Sequence, residues 1–110
     1  MLTRIKISNR ATSLLHITFK AAQQHYTPNI ILRNALMFSI SNEDKYDEQN
    51  INMSGTEFQI STLLGNNSNV YKLLIDQYYK RKLTDQEYKT IICYHMEEGL
   101  RNNDFSTMFN

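Results

Sequence analysis

The chain has one cysteine, Cys93, so no internal disulfide is available. A small fold stapled by bridges is excluded, and a reducing compartment fits. Tryptophan is absent, proline occurs once and glycine three times. Internal repeats and low-complexity runs are missing. No apolar stretch approaches the roughly 20 residues of a membrane span. The opening Met1-Leu2-Thr3-Arg4 lacks the apolar core of a secretory leader, so a cytoplasmic location is expected. No P-loop, no G-x-G-x-x-G and no nucleophile elbow occurs, which removes the commonest nucleotide-binding and hydrolase readings. Acidic residues are absent from positions 1–42, whereas Arg4, Lys6, Arg10, Lys20 and Arg33 are present there.

What is there is ordinary globular material: 110 residues, 41% hydrophobic and 21% charged, with seven Tyr and five Phe. That is enough for one domain. A chain this small buries only about two thirds of its unfolded surface, so a subunit interface would help it. Net charge is +1 but unevenly spread. Residues 43–60 carry Glu43, Asp44, Asp47, Glu48 and Glu57 against Lys45, and residues 61–110 are balanced. A basic N-terminal unit is compatible with phosphate binding, and equally with an ordinary solvated face.

Residues 3–41 organise the chain. Ile5 and Ile7 alternate with Arg4, Lys6 and Ser8, the pattern of a half-buried strand. Ser8 or Asn9 suits the N-cap of a first helix. Ala11, Leu14, Leu15, Thr18, Phe19 and Ala22 form its buried stripe, and its end is expected near His25. Thr27-Pro28 restarts a helix to about Ser41. That helix is apolar on most faces and so is buried on most faces. No strand follows nearby, so the first strand pairs either with a distant segment or with its counterpart in another copy. The second choice is the ribbon-helix-helix plan, and it puts Ile5, Ile7, Ile31 and Phe38 at an interface between copies. The expected class is therefore mainly α: a ribbon-helix-helix-like strand–helix–helix, a C-terminal helix pair and one or two short strands, closed as a homo-oligomer.

The region 42–55 reads as an exposed acidic loop. In residues 56–64, Phe58, Ile60, Thr62 and Leu64 alternate as in a strand, although Phe58, Leu63 and Leu64 also fit a short helix. As a strand, this segment offers the first one a partner inside the same chain. A third helix is expected over about 69–82, with Tyr71, Leu74, Ile75 and Tyr78 inward. Lys80-Arg81-Lys82 at its end complements the helix dipole, and a phosphate patch is the sharper alternative. Thr84-Asp85-Gln86-Glu87 is a capping box that starts the last helix. Tyr88, Ile91, Ile92, His95, Met96 and Gly99 share one face of that helix.

Nothing in this pattern assembles a reaction centre. Cys93 and His95 diverge on a helix and lack the further ligands of a zinc site. Cys93 has no activating neighbour and reads as a small buried hydrophobe. The acidic cluster lacks calcium-loop spacing. His95 and Gly99 read as a packing motif, because a helical glycine costs about 1 kcal/mol and implies a close backbone neighbour. No catalytic residue, metal or cofactor is expected.

The order of short motifs is similar to that of the DndE family, the small subunits of the bacterial Dnd DNA phosphorothioation system. The motifs are R-x-K-x-S at Arg4–Ser8, Thr27-Pro28, Arg33-Asn34-Ala35-Leu36, Thr62-Leu63-Leu64-Gly65, and His95 with Gly99-Leu100. The resemblance spans about residues 3–101. It implies a non-catalytic member of a system that replaces a non-bridging phosphate oxygen of DNA with sulfur. It also implies a homotetramer that binds duplex DNA, nicked duplex preferentially, and associates with the iron–sulfur and ATPase subunits. Arg4, Lys6, Arg10 and Lys20 are then the expected phosphate contacts. Family members carry more Lys and Arg along the first helix than the Arg10 and Lys20 found here, which implies weak DNA binding and a larger role for subunit association. Two further readings remain beside this one: a ribbon-helix-helix repressor reading the major groove, and a pure protein–protein adaptor.

Overall fold

In the computed structural model, residues 3–23, 25–42 and 53–107 are described. The expected acidic cluster Glu43, Asp44, Asp47 and Glu48 lies outside them. The first strand, β1 (Arg4–Lys6), puts Ile5 inward and leaves Arg4 and Lys6 exposed. Its partner is β2 (Glu57–Gln59) of the same chain, antiparallel, with Arg4 opposite Gln59, Ile5 opposite Phe58 and Lys6 opposite Glu57. Three flanking backbone bonds extend the ladder: Ile7 N–H to the Thr56 carbonyl, Gly55 N–H to the Ile7 carbonyl, and Ile60 N–H to the Thr3 carbonyl. Gly55 is required there, because a Cβ would fall 2.5 Å from the Ser8 carbonyl oxygen and 2.8 Å from that of Ile7.

This pairing corrects the ribbon between copies. Ile5, Ile7 and Ile31, expected at an interface, are core residues of the subunit at 2%, 0% and 0% exposure. Phe38 is half-buried, its ring 5.7 Å from that of Phe105. The physical reason is that loop-closure entropy grows only logarithmically with length. A strand some fifty residues away is therefore an affordable partner once helices cover the inner face of the pair.

Helix α1 (Asn9–Ala21) is capped by Ser8, whose Oγ accepts from the Ala11 N–H and donates to Glu97 Oε1 at 2.6 Å. It stops short of His25, where Gln23 takes a left-handed φ of 55°. Helix α2 (Pro28–Ser41) begins at the proline and packs along α5 (Asp85–Arg101) in the most extensive helix pair of the fold. Its apolar surface is thus covered mainly from within: Ile31, Leu32, Ala35 and Leu36 are buried, and Ile30 and Met37 are left outside. Gly99 of α5 makes the approach possible, since a Cβ there would lie 2.0 Å from the Ala35 carbonyl oxygen.

Residues 56–64 divide between the two expected forms. After β2 the chain becomes helix α3 (Ile60–Leu64), whose buried residues Ile60, Leu63 and Leu64 have helical spacing. Arg33 of α2 locks this corner: its Nε donates to the Leu63 carbonyl at 2.6 Å and Nη2 to the Thr62 carbonyl at 3.0 Å. A 3-10 turn (Gly65–Asn67) leads to α4 (Ser68–Tyr79), which ends where Lys80 turns left-handed at φ 59°. Ile75 faces the core, whereas Leu74, expected inside, is exposed. Lys72 is half-buried; it donates to Asp76 and to the Leu83 carbonyl, and Asp76 accepts from the Leu83 N–H. These bonds fix the corner before α5. Thr84 and Glu87 complete the capping box at that helix's start, and α6 (Asn103–Thr107) seats Phe105 in the core. Among the described residues, no helix is long and apolar enough to cross a membrane.

Candidate nucleic-acid interface

The outward face of β1 borders a basic concavity. Strand alternation sends Arg4 and Lys6 to the same side. Beside them, Gln86 and Lys89 stand three residues apart on the first turns of α5, hence on one helical face. Arg4, Ile5, Lys6, Met53, Glu57, Gln86 and Lys89 together line a groove of about 230 Å³. One acid lies among three bases. Glu57 faces Lys6 across the ladder, and its carboxylate reaches diagonally to the Arg4 guanidinium at 3.1 Å. Both side chains of that pair are well exposed, at 60% and 42%, so the pair is worth at most about 1 kcal/mol.

Arg10 and Lys20 lie elsewhere. They sit in the first and last turns of α1, about 15 Å apart along the axis. With Ser13 and Ile17 they form one exposed stripe at i, i+3, i+7 and i+10. The four cations expected to meet phosphates are therefore split, two at the groove and two along α1. Arg33 has its guanidinium committed to α3. Lys80 and Lys82 are exposed in the connector after α4, where Arg81 pairs with Glu87 at 2.7 Å. A second depression, of about 270 Å³, is mostly apolar; Leu15, Phe19, Pro28 and Phe58 line it, with His16 its one titratable group.

His95 and Gly99 are interior. The ring of His95 is fully buried, with Nδ1 2.8 Å from Ser39 Oγ and Nε2 2.7 Å from the Tyr79 hydroxyl. Hydroxyls can donate or accept, so either neutral tautomer is satisfied. Burial lowers the imidazole pKa to about 4. A Ser–His contact resembles a nucleophile with its base, but Ser39 is 1% exposed and no substrate reaches it. The Cys93 thiol donates to the Lys6 carbonyl, and burial raises its pKa to about 12, far from a reactive thiolate. No group of three metal-ligating side chains occurs among the described residues.

A model of the family described as DNA sulphur modification protein DndE matches residues 4–106. The chain belongs to the DndE family. Its fold is similar to the crystal structure of DndE from Escherichia coli B7A, involved in DNA phosphorothioation modification. The TM-score is 0.80 at 23% identity, covering 92% of this chain and 98% of that one. A glycine-to-lysine variant of DndE, also described as involved in DNA phosphorothioation, matches with a TM-score of 0.74 at 23% identity, over 91% and 94% of the two chains. No curated protein matches the sequence. The groove places three residues beside Arg4 and Lys6 that the sequence alone does not single out as a site: Glu57, Gln86 and Lys89. Gln86 and Lys89 share a face of a recognisable helix, but only the docking of α5 beside β1 brings them to Arg4 and Lys6.

Proposed function

We propose that this chain is a non-catalytic, DNA-associated subunit of a DNA phosphorothioation complex. Membership of the DndE family supports the process. The open, paired cations Arg4 and Lys6 on the outer face of β1 are the observation that carries the DNA contact. Contacts from outward lysine and arginine to phosphate oxygens carry no sequence information, so binding through them is largely independent of sequence. Arg10 and Lys20 extend the contact. On this reading the subunit holds duplex or nicked DNA for the sulfur-inserting subunits, works in the cytoplasm and assembles with itself, as a tetramer, and with the iron–sulfur and ATPase subunits. Exposed Val70 and Leu73 on α4 supply apolar surface for such assembly.

The repressor reading is less well supported. A ribbon entering the major groove would present Glu57 to DNA beside Lys6, and β2 carries that carboxylate on its exposed side. The adaptor reading loses part of its footing because α2 lies mostly inside the subunit. The test is anisotropy titration of a labelled duplex across a salt series, using the wild type and the combined Arg4→Gln, Lys6→Gln, Arg10→Gln, Lys20→Gln variant. The slope of log K against log salt should fall by roughly 0.9 for each phosphate contact removed. An unchanged affinity and slope would overturn the DNA assignment.

A further inference from the structure

We propose that the β1–α5 groove is a phosphate cradle in which Lys89 and Gln86 complete the contacts begun by Arg4 and Lys6, and that Glu57 is a resident competitor for the phosphate's place. This rests on the DNA reading above and goes beyond it by naming the site, two further contact residues and a brake. The groove joins two strand cations, one helix cation and a side-chain amide around a space of about 230 Å³, enough for a backbone phosphodiester. Among the described residues neither Lys6 nor Lys89 takes part in an ion pair. Both ammonium groups are therefore free to replace solvent counterions with a phosphate oxygen. Gln86 adds an N–H₂ donor that carries no charge.

Glu57 gives the groove its second property. Its carboxylate occupies the Arg4 guanidinium at 3.1 Å in an exposed pair, and such pairs are cheap to open. A phosphate entering the groove takes over the same N–H donors and leaves Glu57 to solvent. Until then the carboxylate repels the incoming anion and holds the best bidentate donor of the site. Affinity is thereby kept below what three cations alone would give, and charge on Glu57 sets it.

The experiment measures binding of a mixed-sequence duplex by the full chain and by Lys89→Gln, Glu57→Gln, Arg4→Gln, Lys6→Gln and Arg101→Gln variants, each checked for folding by circular dichroism. Arg101→Gln removes the same charge from an exposed site outside the groove, where the guanidinium is ion-paired on its own helix. Lys89→Gln should weaken binding about three- to fivefold and lower the salt slope by roughly 0.9, as one lost phosphate contact does, with Arg101→Gln near wild type. Glu57→Gln should tighten binding about two- to threefold, as removal of a weak exposed competitor does. If Arg4→Gln and Lys6→Gln weaken binding while Lys89→Gln behaves like Arg101→Gln, the cradle is wrong and the DNA reading stands. If Glu57→Gln binds no tighter than wild type, the competitor is wrong. If neither Arg4→Gln nor Lys6→Gln alters binding, the DNA reading itself fails and the cradle with it.

Discussion

Replacing Gly99 by alanine is the sharpest probe of how the fold is held. Residue 99 lies in the last turn of α5 against the middle of α2, and a Cβ there would meet Ala35 O at 2.0 Å, C at 2.6 Å and Cα at 2.8 Å. All three are backbone atoms of a helix that is itself buried, so no side chain can rotate away. Alanine gains about 1 kcal/mol of helix propensity over glycine. Against it stands overpacking that forces two helices apart, typically 1–3 kcal/mol and more where backbone must move. A net loss of about 2 kcal/mol is expected, which lowers Tm by about 10 °C for a domain of this size. Denaturant and thermal unfolding of the Gly99→Ala chain measure it directly. Ala35→Gly in the same chain should give no rescue, because the atoms struck are not the alanine methyl. A Gly99→Ala protein as stable as wild type, or one restored by Ala35→Gly, would refute the backbone-contact argument.

Other expectations concern buried polar groups and the α2–α3 corner. His95 has its folded pKa lowered to about 4 from 6.5, so the unfolded chain binds the proton first. Its contribution is complete above pH 6.5 and is lost as pH falls toward 4, by at most roughly 3 kcal/mol; denaturant unfolding at pH 7 and pH 5 should show this for the wild type, with a shallower dependence for His95→Gln. The Tyr88 hydroxyl is buried without a hydrogen-bond partner among the described residues, and burial raises its pKa. Tyr88→Phe is therefore expected to be neutral or to stabilise by up to about 1 kcal/mol in the same unfolding assay; a clear loss would reveal a partner. Arg33→Lys loses the fork that holds the Leu63 and Thr62 carbonyls and should cost about 1–2 kcal/mol by chemical denaturation.

The candidate site was legible only in part. Arg4 and Lys6 stand out because strand alternation is written in three residues. Arg10 and Lys20 are visible as the exposed bases of α1, yet they fall on a different surface from the groove. Glu57 sits in a stretch whose two patterns compete, and its meeting with Arg4 depends on a strand pairing that no local signal specifies. Lys89 looks like any solvated lysine on the face of α5 until β1 is laid beside it.

Helix starts were decided within a few residues. Ser8 satisfies the orphan N–H of Ala11, Pro28 has no N–H to satisfy, and Thr84 with Glu87 exchanges two bonds across three positions. Such signals act over one turn, so they survive being read from the chain alone, and so does the inward stripe of α5. What covers an apolar surface is a different kind of fact. Ile5, Ile7 and Ile31 must leave water, but burial is non-directional and their side chains do not specify whether a second copy or a distant part of the same chain covers them. The tertiary structure decided that: β2 closes on β1, α5 lies along α2, and the groove between β1 and α5 exists only because both happen together.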